Sequence, residues 1–216
     1  MTGWSEYAAA WAVFLASHAL PVRPPLRPWL VARLGARGFT LAYSALSIAL
    51  LAWLIGGAGR APYLALWQPA PWQTLAAQAA MLAACLVLAL ALGRPNPLSF
   101  GGARDAAFDP DRPGIAGWIR HPVLAVLALW AAGHLAANGD LAHALMFGGF
   151  CAFALLGMRM IDFRRRRELG DADWVRLARG RGHLPPGWPW RLAAGAALWL
   201  ALGLAHPHVI GPVVLP

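Results

Sequence analysis

Six stretches of this chain run for about twenty residues each with almost no charged side chain, and nothing else in the sequence restricts the fold so strongly. They lie near residues 4–22, 39–57, 72–93, 115–137, 141–161 and 191–212 of 216. Each approaches the roughly 20 residues that a helix needs to cross the hydrocarbon of a bilayer. Inside lipid no water can satisfy exposed backbone N–H and C=O groups, so an open sheet is excluded and the runs must be helices. The expected fold is therefore all-α: a polytopic transmembrane helical bundle of about six spans, built as a single membrane domain over residues 1–216. Composition agrees, with 59% hydrophobic and only 12% charged residues, about half the charged fraction of a soluble domain.

The formal net charge is +9, and all eighteen basic residues are arginine. They sit in the gaps between apolar runs rather than on one polar face, which argues against nucleic acid and for anionic lipid headgroups as their partner. The gaps alternate. Arg23, Arg27, Arg33 and Arg37 fill the first, Arg60 stands alone in the second, and Arg94, Arg104, Arg112 and Arg120 fill the third. The turn Asn138-Gly139-Asp140 has none, and the last gap, from Arg159 to Arg191, holds the block Arg164 to Arg167. Because arginine-rich connections stay on the cytoplasmic side, connections one, three and five are expected inside and both termini outside. Trp4, Trp67, Trp72, Trp118, Trp188 and Trp190 stand at span ends, where interfacial aromatics belong.

Two connections are long. Residues 94–114, rich in Pro, Gly and Asp, read as an ordered loop with turns. Residues 162–182 read as the fifth span continuing into the cytoplasm as a basic helix, broken at Gly170 and resumed near Asp171. Cys85 and Cys151 fall within apolar runs and read as buried free thiols. There is no C-x-x-C-H, which excludes a covalently attached c-type haem. The N-terminal segment lacks a basic stretch and carries Glu6, so it reads as a retained first span. No phosphate-cradling glycine loop is present, Gly101-Gly102 lacking the downstream pattern. Ser17 beside His18 makes no nucleophile–base pair by adjacency alone.

An ionisable side chain within a span marks a candidate functional site, because burying it without a partner is costly. His18, His121, His134 and His143 qualify; His183, His206 and His208 lie in a loop or near the C-terminal end. His121 and His134 are 13 residues apart, which along a helix is about 20 Å and about 220° of rotation, so they do not ligate one ion. Arg120-His121-Pro122 marks the start of regular helix, since proline suits the first turn. His121 then reads first as a cap or hydrogen bonder near the inner interface, and second as a haem-propionate or substrate contact helped by Arg120. His134 sits among Ala131, Ala132, Gly133, Ala136 and Ala137, small residues that let a helix or a flat ring approach closely. His18, beside Ser17 and Ala19, has a similar setting. Two neutral imidazoles from different helices are what axial ligation of a b-type haem requires; a buried, hydrogen-bonded histidine pair is the competing reading.

The stretches FLASHALPVRPPLRPWLVARLGARGFTLAYSALSIALLAWLI, APYLALWQPAPW, NPLSFGG and IRHPVLAVLALWAAGHLAANGD, in that order, resemble the NnrU family of bacterial membrane proteins, over nearly the whole chain to about residue 190. The family is associated with denitrification and nitrogen-oxide metabolism, and it includes zeta-carotene isomerase, an integral membrane b-haem enzyme. The resemblance implies a bacterial inner (cytoplasmic) membrane location and haem b with axial metal ligands at His18 and His134. His121 and Arg120 would belong to the cofactor's surroundings rather than to its iron. Ala131 stands where the isomerase carries a cysteine able to take part in ligand exchange, so the residue for a redox ligand switch is missing here. On the charge-derived topology His18 lies toward the inner half and His134 toward the outer, which makes His18 with His121 the depth-matched alternative pair.

Four functions follow as expectations. The first is a haem protein of nitrogen-oxide or small-molecule redox chemistry. The second is an isomerase of an apolar polyene entering from lipid. The third is a non-catalytic assembly or sensor subunit. The fourth and weakest is a membrane methyltransferase, for which the stretch Asp162 to Glu168 offers one glutamate among arginines instead of a pair. The sequence carries no signal for an oligomeric state.

Overall fold

The computed structural model describes residues 3–100, 105–211 and 214. Gly101-Gly102 and Arg104 lie outside the described residues. Seven α-helices follow one another: α1 (Gly3–Ala19), α2 (Leu26–Arg60), α3 (Pro71–Ala91), α4 (Pro122–Ala137), α5 (Leu141–Leu169), α6 (Asp171–Ala178) and α7 (Trp188–Val209). Among the described residues there is no strand beyond a single bridge between Ala65 and Asp140.

Four helices, α2, α3, α5 and α7, are long and apolar enough to cross a membrane, while α4 is apolar but shorter, at 16 residues. The first apolar run forms a helix of 17 residues ending at Ala19 rather than near 22. The segment expected over 115–137 becomes regular only at Pro122, because a proline disfavours helical geometry in the residue before it, and His121 sits at φ −115°, ψ 69°. Residues 114–117 make a single 3-10 turn ahead of it. The run expected over 39–57 is part of a longer helix that also takes in Arg27, Arg33 and Arg37. That helix is interrupted at Gly35, whose φ of 71° suits glycine and strains any residue with a Cβ. The loop after α3 is built from side-chain-to-backbone turns: Asn96 Oδ1 accepts from Leu98 N (3.2 Å) and Asp109 Oδ1 from Asp111 N (2.9 Å).

The chain divides into two compact units. One comprises the residues up to Leu66 together with Asp140–Met146; the other comprises Trp67–Gly139 and the residues from Phe147 onward. In the first, α1 packs on α2 around Tyr7, Ala10 and Leu54, all nearly inaccessible. Glu6 accepts hydrogen bonds from Trp53 Nε1 (3.3 Å) and Arg60 Nε (3.2 Å), and Tyr7 Oη donates to the carbonyl of Ala142 (2.8 Å).

In the second unit α3 is central, with α4 and α7 both packed on it. Small residues set the spacing. A Cβ on Gly133 of α4 would lie 3.0 Å from the Cβ of Ala80, and one on Gly195 of α7 would lie 2.9 Å from the carbonyl oxygen of Cys85. Without a hydrophobic driving force between helices in lipid, such close backbone approach supplies the dispersion contact that holds them. Arg191 closes the junction by donating to the carbonyls of Ala89 (2.7 Å) and Leu92 (2.9 Å) at the end of α3, where helical carbonyls lack partners. Large apolar side chains such as Leu41, Ile48, Leu75 and Val209 stay exposed, as an exterior solvated by lipid tails requires.

Replacing Gly195 by valine should therefore lower the thermal midpoint in detergent by several degrees, for a destabilisation of about 1–3 kcal/mol. Gly148→Ala, at a position where a Cβ meets nothing within 4 Å, should leave it unchanged; equal midpoints for all three proteins would refute the packing argument.

Candidate functional site

The second unit gathers a polar cluster where α4 begins. Pro122 starts the helix and leaves His121 at its N-cap, with both ring nitrogens turned to side chains distant in sequence. Nδ1 lies 3.0 Å from Ser99 Oγ, and Nε2 lies 3.1 Å from Asp162 Oδ1 on α5. Arg120 donates to the other oxygen of the same carboxylate (2.8 Å), and Asn96 Nδ2 donates to the carbonyl of Arg120 (2.9 Å). His121 and Ser99 are buried to 4% and 3% exposure, while the Asp162 side chain keeps 29%.

The protons in this chain are fixed by elimination. Asp162, ionised against Arg120, can only accept, so His121 Nε2 carries a hydrogen and donates. In the neutral ring Nε2 then carries the one hydrogen. Nδ1 is then an acceptor, and Ser99 donates its hydroxyl hydrogen to it. A serine, a histidine and a carboxylate thus stand in one hydrogen-bonded line, with the serine at its buried end.

His134, near the far end of α4, is held differently. Its Nδ1 lies 2.8 Å from the carbonyl oxygen of Trp130 one turn earlier, and its ring packs on Trp130 and Phe147, with centroids 5.4 and 4.9 Å away. The small residues beside it face α3, since Gly133 lies against Ala77 and Ala80; of the two occupants that the small-residue stretch admits, a helix takes this side. In the first unit His18 repeats the arrangement. Its Nδ1 lies 2.8 Å from the carbonyl oxygen of Phe14, one turn back, with Ser17 Oγ at 3.2 Å, and its ring stacks on Phe14 at 4.2 Å. A carbonyl oxygen can only accept, so both histidines are Nδ1–H tautomers, and in the neutral ring the lone pair is on Nε2. Neither Nε2 has a hydrogen-bond partner among the described residues.

His143 lies in the first turn of α5 and is capped by Asp140. Asp140 precedes α5, accepts from His143 N (3.1 Å) and holds its Nδ1 at 2.8 Å. The structure thus brings Arg120 and His121 together with Asp162, leaves His134 at the other end of α4, and puts His18 in the other unit. Among the described residues no group of three or more His, Cys, Asp or Glu side chains could hold a metal ion. Sequence reasoning passes over Ser99, Asn96 and Trp174, and meets Asp162 only in the stretch weighed for a methyltransferase. The one available signal is that Asp162 is the sole acid between His143 and the arginine block.

Removing the linking ring should destabilise more than removing its buried partner. His121→Leu leaves Ser99 and one edge of Asp162 unpaired and is expected to cost on the order of 2 kcal/mol, against about 1 kcal/mol for Ser99→Ala. Thermal unfolding in detergent measures both, and a His121→Leu midpoint at or above the Ser99→Ala value would dismiss the cluster as a stabilising network.

No curated protein and no solved structure matches the chain. One family model, described as NnrU protein, matches residues 6–214, further than the expected end of the resemblance near residue 190. That match takes in the apolar helices, His18, His134 and the whole polar cluster, and by it the chain belongs to the NnrU family.

Proposed function

We propose that this protein is a b-type haem protein of the bacterial inner membrane, working in nitrogen-oxide metabolism, with His18 and His134 as the iron's axial ligands. One observation carries the reading: two imidazoles in different units share the same pose, Nδ1–H given to the carbonyl one turn back and Nε2 without a hydrogen bond among the described residues. A hydrogen bond from the other ring nitrogen fixes tautomer and orientation and raises ligand basicity, as metal-ligating histidines require. The flat aromatic neighbours Phe14, Trp130 and Phe147 suit a planar macrocycle. His121 has both nitrogens engaged and is reserved for the polar cluster rather than for iron. Bound haem would supply a redox-active iron. The chain's own contribution is to orient the two imidazoles through their Nδ1 hydrogen bonds.

The membrane arrangement under this reading has six crossings, with both termini periplasmic and α6 on the cytoplasmic side. Helices α1 and α4, at 17 and 16 residues, reach about 25 Å and need the flanking residues to complete a crossing. The non-helical backbone ahead of α4 is compatible with membrane depth because Ile115 and His121 are buried in protein. Fusions of a periplasm-dependent phosphatase after Gly139 and after Leu169 should be active and inactive respectively; the reverse pattern would invert the topology.

For the cofactor, protein purified in mild detergent from haem-replete cells should show a Soret band and sharp reduced α and β bands. His18→Ala and His134→Ala should each abolish or strongly weaken them, while His183→Ala keeps them. A colourless wild-type protein, or bands that survive both substitutions, would sink the haem reading and leave these histidines as packing residues of a non-catalytic subunit.

A further inference from the structure

The arginines between the apolar runs fall into two groups once their partners are known. Along α5 and α6 many are paired within the chain: Glu168 with Arg164 and Arg165, Asp171 with Arg166, Asp173 with Arg176 and Asp111 with Arg179. The connection from α1 into α2 has no such means. Between Glu6 and Asp105 the sequence contains no acidic residue, and the two carboxylates of the first unit are committed, Glu6 to Arg60 and Asp140 to His143. Arg23, Arg27, Arg33 and Arg37 make no ion pair among the described residues.

The backbone sets the same segment apart. A straight α2 of 35 residues would measure about 52 Å, more than the roughly 40–45 Å of a bilayer with its headgroups. The break at Gly35 divides it, leaving residues 36–60, about 37 Å long, to make the crossing and residues 26–34 as a separate arm. The residues of α2 that are buried in protein, Leu50, Leu54, Gly57 and Ala58, all lie beyond the break. In the arm none is buried, and Leu26, Trp29 and Leu34 are 42%, 51% and 49% exposed. A helix this short with no packed face is marginal in water, so its order calls for a surface that covers it. Arg33 Cζ lies 4.3 Å from the centroid of the Trp29 ring, and an indole carrying a guanidinium suits the headgroup layer, where tryptophan concentrates.

We infer that residues 26–34 form an arm lying on anionic lipid at the membrane surface, with Leu26, Trp29 and Leu34 in the acyl boundary and the four arginines holding lipid phosphates. Arginine stems are long enough to rest on apolar surface while the heads stay among the phosphates. Four positive charges with no acid among them select an anionic headgroup over a zwitterionic one, and the fork of guanidinium donors matches phosphate. The demand for anionic lipid thus falls on this connection rather than on the larger block from Arg164 to Arg167, which the chain balances in part with its own acids. The arm uses no residue assigned to the haem.

The test is hydrogen–deuterium exchange of the full-length protein, read at the amides of residues 26–34 in nanodiscs of phosphatidylcholine alone and of phosphatidylcholine with phosphatidylglycerol. Wild type should exchange there about tenfold or more slowly when phosphatidylglycerol is present, since each arginine near an anionic surface contributes about fivefold. Combining Arg23→Gln, Arg27→Gln, Arg33→Gln and Arg37→Gln should remove most of that difference, whereas combining Arg164→Gln, Arg165→Gln, Arg166→Gln and Arg167→Gln should keep it. In wild type, salt at about 1 M, where the screening length is about 3 Å, should also remove it; should the first variant fail to fold, this measurement decides. Fast exchange in both lipids would leave the arm in water, and slow exchange in both would make apolar contact alone its hold. Either result overturns the inference, as does a phosphatidylglycerol effect that survives the first set of substitutions or is lost in the second.

Discussion

Lipid offers the backbone no hydrogen bonds, and the rest of the structure follows from that refusal. Every apolar segment becomes a helix because only a helix satisfies its own N–H and C=O groups. The difficulty then moves to helix ends, and polar side chains are found there. Arg191 covers the last carbonyls of α3, Asp140 accepts from the first turn of α5, and Tyr7 reaches the carbonyl of Ala142. Polar residues are scarce in this chain, and several of those near the apolar helices are spent on backbone groups.

The same scarcity separates the histidines. A buried imidazole has two nitrogens to account for. His121 accounts for both with side chains, through Ser99 and Asp162, and so belongs to a closed network whose charge is carried by Arg120. His18 and His134 spend one nitrogen on the carbonyl of their own preceding turn and keep the other. Identical residue types are therefore held differently: His121 through side chains at both nitrogens, His18 and His134 through one backbone carbonyl each. A glycine beside His134 serves helix contact with α3, while Trp130 and Phe147 pack on the imidazole itself.

The arginine-rich end obeys a different constraint. There charge is abundant, and the limit is the number of acids available to pair with it. Trp174 is drawn between Arg120 and Arg166 because an indole face attracts guanidinium groups. That stacking ties the short helix α6 to Arg120, just ahead of α4.

What the sequence by itself determined is whatever depends on neighbours along the chain. Runs of apolar residues dictate helices, the Arg-His-Pro tripeptide dictates where α4 begins, and Gly170 dictates the break before α6, since each follows from local backbone chemistry. Even the poses of His18 and His134 are local, for each uses the carbonyl four residues earlier. The tertiary structure alone decided what those local rules leave open. Ser99 and Asp162 stand 22 and 41 residues from His121, and Trp174 lies 54 residues from Arg120. Single acids, serines and tryptophans have no periodicity to announce such meetings. Their roles come from helix packing, which in lipid is set by where small residues let two backbones close, and that is a property of pairs of surfaces rather than of any one stretch of chain.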